Sequence, residues 1–188
     1  MRPQHLPNLI SALRVVLIVP VVLFLLQGKF GLALVVFAAA GFSDALDGYL
    51  ARRFGWFSPL GGWLDPLADK AMMVSSYLAL AYLGLIPGWL VAAVVARDLI
   101  IVLGSLAYSR WVERFEAAPS LMSKLNTLMQ ILLVMAVMWN AGVTSLPTSL
   151  VDALVAAVAA TIVLSGAGYM WTWGMRALRL RRRSRSRA

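Results

Sequence analysis

The sequence predicts an all-α integral membrane protein, a bundle of six transmembrane helices. Three observations lead there. Of its 188 residues, 61% are hydrophobic and 13% charged, against roughly 45–50% and about 25% in a soluble domain. The apolar runs are long and lack the two-residue alternation of a strand. Backbone groups in lipid must be paired internally, which leaves helices or closed barrels.

A helical span needs about 20 residues. The first is expected over 9–27, LISALRVVLIVPVVLFLLQ, and Gly28-Lys29 breaks it. The second covers 31–53 and ends in Arg52-Arg53, before a short loop with Ser58-Pro59. The third runs over 61–84, up to the turn at Ile86-Pro87-Gly88. The fourth occupies 89–109 and leads into a polar link, SRWVERFEAAPS. The fifth covers 121–140, and Asn140-Ala-Gly with Pro147 marks the next turn. The sixth covers 150–174 and feeds an arginine tail over 176–188. The first segment lacks a small-residue cleavage site and runs into a second span, unlike a signal peptide. One membrane domain over 1–188 is expected, without internal repeats or a soluble domain.

Lys and Arg near span ends set orientation. Arg2, Arg52, Arg53, Arg110, Arg114 and the arginines from Arg176 fall on one side, and Lys29 stands nearly alone on the other. Both termini are therefore expected in the cytoplasm. The net charge is +9. Because the basic tail follows a span, its expected partner is the anionic membrane surface, not nucleic acid. Most tryptophans fall near span ends, as an interfacial belt requires.

Four aspartates interrupt this apolar pattern. Asp44 and Asp47 lie three apart on the second span, and Asp65 and Asp69 four apart on the third. Each pair shares a helix face. The short loop makes the two helices antiparallel neighbours, so the pairs can converge on one cavity toward the cytoplasm. Gly48, Ala51 and Gly61 leave room there for helix contact or for a ligand. Ionisable residues at membrane depth are costly and mark function. Two unit charges 4 Å apart interact by about 4 kcal/mol at an effective dielectric of 20. Four neighbouring carboxylates therefore need protons or cations. The chain has no cysteine and one histidine, His5, ahead of the first span. A metal site must then be built from oxygen, which suits Mg²⁺, Mn²⁺ or Ca²⁺. Two such ions side by side catalyse phosphoryl displacement.

Asp44, Asp47, Gly48, Ala51, Arg52, Gly61, Asp65 and Asp69 spell D-x2-D-G-x2-A-R-x8-G-x3-D-x3-D. This resembles the signature of the CDP-alcohol phosphatidyltransferase family, with every spacing matched. The resemblance covers nearly the whole chain. It implies a CDP-linked lipid substrate, usually CDP-diacylglycerol, whose lipid-side phosphorus is attacked by an alcohol as CMP leaves. It implies two divalent cations, Mg²⁺ or Mn²⁺, held by Asp44, Asp47, Asp65 and Asp69. Asp69 is also the implied general base. Gly48, Ala51, Arg52 and Gly61 correspond to the region that receives cytidine diphosphate, and Asn8 is a further candidate there or a cap of the first helix. The family implies a homodimer. The expected location is a bacterial inner membrane, with the active site facing the cytoplasm.

The acceptor is read outside the signature. LPNLISALR and the DPLADK ending resemble both the phosphatidylglycerophosphate synthases and the cardiolipin synthases of this family. The fourth span carries Ala96-Arg97-Asp98, and the fifth opens PSLMSKLNTLMQ. Both resemble the cardiolipin synthase branch, whose acceptor is phosphatidylglycerol, with glycerol 3-phosphate as the alternative. Arg14, Arg97 and Lys124 lie in or near apolar spans and are the candidate ligands for the acceptor phosphate. Arg97 can instead pair with an intramembrane aspartate, and Lys124 can snorkel to the interface. Asn126 can hydrogen-bond headgroup or nucleotide. Lys70 adjoins Asp69 with an open role, and Asp152 reads as a helix-terminus acid. A proton-coupled carrier would also use intramembrane acids, but inverted repeats and paired broken helices are missing. A membrane scaffold leaves the grouping of the acids unexplained.

Overall fold

A computed structural model describes residues 6–54, 61–111 and 121–185. Among them are six helices and no strand: α1 (Leu6–Leu26), α2 (Phe30–Phe54), α3 (Gly61–Tyr82), α4 (Gly88–Trp111), α5 (Leu121–Gly142) and α6 (Thr148–Arg185). Each helix falls on one of the expected segments. Two stretches, Leu121–Gly142 and Thr148–Gly168, are long and apolar enough to cross a membrane. The loop with Ser58-Pro59, residues 112–120 of the polar link, Arg2 and His5 lie outside the described residues.

Helix ends follow local chemistry. Gly28 and Gly84 both take φ of 72°, a left-handed conformation that glycine adopts without a Cβ penalty. After α1, Gly28 N–H donates to Leu25 C=O and Lys29 N–H to Phe24 C=O. After α3, Gly84 donates to Ala81 and Leu85 to Leu80 in the same pattern. These paired bonds satisfy carbonyls that each helix end would leave open.

Three boundaries differ from expectation. Asn140-Ala-Gly is not a turn but the last turn of α5. The chain reverses after it, and Asn140 Oδ1 accepts from Leu146 N–H at 2.7 Å. Asp152 stands one turn inside α6, not in its first turn, and is exposed. Helix α6 continues past 174 through Arg185, because arginine is a good helix former and nothing in RLRRRSR breaks the backbone. At 1.5 Å per residue its 38 residues reach about 57 Å, well beyond a hydrocarbon core of about 30 Å.

The chain divides into two compact units, Met1–Val91 with Val134–Val151, and Ala92–Leu133 with Asp152–Ala188. In the first, α1 packs against both α2 and α3. Its core includes Val21 and Leu25 of α1, Ala33, Phe37 and Ala40 of α2, and Ala68, Met72 and Leu80 of α3. The opposite faces carry exposed Val15, Val16, Val19, Val35 and Leu78, apolar side chains suited to lipid contact. Trp89 and Trp139, near helix ends, are also exposed. In the second unit, Val94, Leu133, Val158 and Ile162 are buried.

Gly142 is where the end of α5 meets the start of α2 in the first unit. A Cβ there would lie 2.4 Å from Gly31 N and 2.7 Å from Phe30 Cβ. The obstruction is largely backbone and cannot rotate away. Gly142→Ala is therefore expected to destabilise the protein by about 1–3 kcal/mol, the usual range for overpacking. Unfolding in detergent checks this, with Gly41→Ala, where a Cβ meets nothing within 4 Å, as the control.

Candidate active site

The buried faces of α1, α2 and α3 each run into a charged residue. On α2, Ala33, Phe37, Ala40 and Asp44 follow the spacing of a single face. On α3, Ala68 and Met72 are buried beside Asp69, and Asp65 lies one turn before Asp69. On α1, Arg14 shares the face of Val21 and Leu25 and is itself 3% exposed. Arg14 lies eight residues from the start of α1, Asp44 ten from the end of α2, and Asp69 eight from the start of α3. Each is thus about 12–15 Å inside its helix.

These three residues form one ion-pair cluster. Arg14 Nη1 donates to Asp69 Oδ1 at 2.5 Å, and Arg14 Nη2 donates to Asp44 Oδ1. A guanidinium presents its donors in a rigid planar fork, so acids from two helices are brought to neighbouring points. The expected convergence is seen for Asp44 and Asp69. The side chains of Asp47 and Asp65, and those of Asn8, Ala51, Arg52 and Gly61, lie outside the described set. Asp47 is on the Asp44 face of α2, and Asp65 on the Asp69 face of α3, by helical spacing. Gly48 is half-buried and Lys70 exposed.

Arg14, a candidate ligand for the acceptor phosphate, has both outer nitrogens engaged by Asp69 and Asp44. The reason is electrostatic: a cation buried this deep pairs with neighbouring anions. Asn8 is not the cap of the first helix, because α1 starts at Leu6 and places it in the first turn.

Among the described residues no three His, Cys, Asp or Glu side chains form a metal-binding group. The donor chemistry of the cluster still fits a hard cation. Both described carboxylates are partly open, with side chains 37% and 48% exposed. Arg14 engages only Oδ1 of each. Asp44 and Asp69, with Asp47 and Asp65 on the same faces, are the residues that could hold it.

The second unit contains a different polar cluster. Arg97, 7% exposed, donates from Nη1 to Asp98 Oδ1 at 2.8 Å and from Nη2 to Ser123 Oγ at 2.8 Å. Ser165 Oγ also accepts from Nη2. The two segments from which the acceptor is read in the sequence, Arg97-Asp98 and SKLNT, are therefore in direct contact. One turn along α5, Asn126 Oδ1 accepts from the Thr161 hydroxyl at 3.0 Å. Nε of Arg97 and Nδ2 of Asn126 are buried with no acceptor among the described residues. Lys124 is exposed. Sequence reasoning missed Ser165 and Thr161, since single hydroxyls in an apolar span carry no pattern.

The chain is 35% identical over 150 residues to a cardiolipin synthase (CMP-forming) of Rattus norvegicus, covering 71% of this chain and 50% of that protein. It is 36% identical over 113 residues to a cardiolipin synthase (CMP-forming) of Streptomyces coelicolor, covering 56% and 53%. It is 34% identical over 185 residues to the chloroplastic CDP-diacylglycerol–glycerol-3-phosphate 3-phosphatidyltransferase 1 of Oryza sativa, covering 88% and 56%. The chain spans about half the length of these curated relatives. The sequence profile for CDP-alcohol phosphatidyltransferase matches residues 4–165, a region that includes both clusters, and the chain belongs to that family.

Proposed function

We propose that the protein is a cardiolipin synthase, transferring the phosphatidyl group of CDP-diacylglycerol to phosphatidylglycerol with release of CMP. The observation that carries this reading is the convergence of Asp44 and Asp69 on Arg14, inside a motif of the required spacing. The acceptor hydroxyl oxygen attacks the lipid-side phosphorus, the bond from that phosphorus to the CMP phosphate breaks, and the hydroxyl proton passes to Asp69. A partly exposed carboxylate suits that transfer. Two divalent cations, Mg²⁺ or Mn²⁺, held by Asp44, Asp47, Asp65 and Asp69, would screen the pyrophosphate and the charge on departing CMP. Gly48, Ala51, Arg52 and Gly61 receive the cytidine diphosphate, with Asn8 beside them. Arg97 and Lys124 hold the acceptor phosphate, and Asn126 its hydroxyls. Arg14 is read instead as the partner of the acids, because two carboxylates from two helices hold it, whereas Arg97 meets a single carboxylate.

We further propose that all six helices span the membrane, with both termini and the active site facing the cytoplasm. Exposed apolar residues on α1, α2, α3, α4 and α6 support spanning, and the lysine and arginine distribution supports the orientation. A bacterial inner membrane and a homodimer complete the reading, the latter on family resemblance.

The second reading is a phosphatidylglycerophosphate synthase using glycerol 3-phosphate. It is favoured by the relative in Oryza sativa, which covers more of this chain than the rat protein does. The test is direct. Purified protein receives CDP-diacylglycerol, a divalent cation and either acceptor, and the lipid product is identified. Cardiolipin with CMP is expected. Phosphatidylglycerophosphate would establish the second reading, and no CMP release with either acceptor would overturn the enzyme assignment.

A further inference from the structure

We propose that Arg14 is a positioning residue, a clamp that fixes the spacing of the Asp44 and Asp69 carboxylates and so sets their affinity for divalent cations. This rests on the metal-binding reading of the acids given above.

Charge comes first. Arg14 is 3% exposed, so its guanidinium cannot retreat to water. Moving it away from both acids would leave a buried unpaired charge, which is strongly destabilising. Its Nε has no acceptor among the described residues, so Asp44 and Asp69 are the groups seen to anchor it. A divalent cation arriving at the acids therefore gains little by expelling Arg14.

Geometry comes second. Nη1 and Nη2 are joined through one carbon, so the oxygens they hold cannot drift apart independently. Arg14 takes Oδ1 of Asp69 and Oδ1 of Asp44, one oxygen from each of two helices. The same bonds tie α1 to both acid-bearing helices. A cation binding to such acids meets carboxylates whose orientation is already set. Hydrogen-bonded partners behind metal ligands typically contribute 10–100-fold to metal affinity.

A simple counter-ion would behave differently. It would compete with the metal, and removing its charge would tighten metal binding. Lysine separates the two cases, because it retains charge but is a point donor without the planar fork.

The experiment measures Mn²⁺ uptake by the purified full chain in detergent, read from loss of the free-ion electron paramagnetic resonance signal. Arg14→Gln and Arg14→Lys are compared with the parent. The expected result is a 10–100-fold weaker Mn²⁺ affinity in Arg14→Gln and at least about a tenfold loss in Arg14→Lys. Arg14→Lys keeps the buried cation, so it remains informative if Arg14→Gln fails to fold. Parent-like affinity in Arg14→Lys, or tighter binding in either variant, overturns the clamp. Absence of Mn²⁺ uptake by the parent overturns the metal reading and the clamp with it, a failure distinct from the first.

Discussion

Asp69→Asn is expected to lower CMP release by about 1,000-fold or more while leaving CDP-diacylglycerol binding largely intact. Asparagine has the same shape, and its Oδ1 can still accept from Arg14 Nη1. The three-helix cluster therefore keeps its geometry. What is lost is the oxygen proposed to take the acceptor proton, an effect worth roughly 10²–10⁴ in rate, together with one anionic oxygen of the proposed cation site. CMP release measures turnover, and equilibrium binding of CDP-diacylglycerol measures the retained function. Near-parent turnover would exclude Asp69 as the base. Loss of substrate binding along with turnover would instead make its main role the assembly of the nucleotide site. Asp44 provides the comparison: Asp44→Asn also retains an acceptor for Arg14 and removes a proposed metal ligand, but leaves the proposed base in place. Raising the divalent cation concentration should therefore restore more turnover in Asp44→Asn than in Asp69→Asn.

The acids were the most legible part of the fold. In α1, lipid and protein interior are both apolar, so nothing in LRVVLIVPVVLFLL separates exposed Val15, Val16 and Val19 from buried Val21 and Leu25. The aspartates break that degeneracy. Counting back from Asp44 by helical turns gives Ala40, Phe37 and Ala33, all buried. The facing of α2 was thus readable from one charge. The partner of Arg14 was not, because a cation that binds a substrate phosphate and one that pairs with intramembrane acids look the same in sequence. Its depth was the usable signal, since it lies about as far into its helix as the acids do. The contacts of Arg97 were hidden for another reason. Ser165 lies 68 positions away, and a lone serine in an apolar helix has no spacing to read. The helical arginine tail was missed because composition marks where the lipid ends, while the backbone continues for as long as its residues favour helix.

The Arg97 cluster yields the second large effect. Arg97→Met is expected to destabilise the protein by about 3 kcal/mol, the lower end for breaking a buried ion pair, because Asp98 retains some exposure at 16%. The methionine also removes one donor to Ser123 and to Ser165. Replacing both charges, Arg97→Met with Asp98→Leu, also removes the carboxylate that lost its Arg97 partner and should recover most of that loss, since apolar pairs often substitute for buried ion pairs without penalty. The double variant then separates packing from chemistry. If Arg97 also holds the acceptor phosphate, a refolded double variant will show a raised KM for phosphatidylglycerol and an unchanged KM for CDP-diacylglycerol. Uniform loss of binding affects KM, whereas a transition-state contact would lower kcat. Recovery of both stability and acceptor KM would assign Arg97 to holding α4, α5 and α6 together within their unit. Phosphate recognition would then fall to Lys124, which is exposed. The two segments that resemble the cardiolipin synthase branch meet at Arg97 and Ser123, so this cycle tests acceptor specificity at their contact.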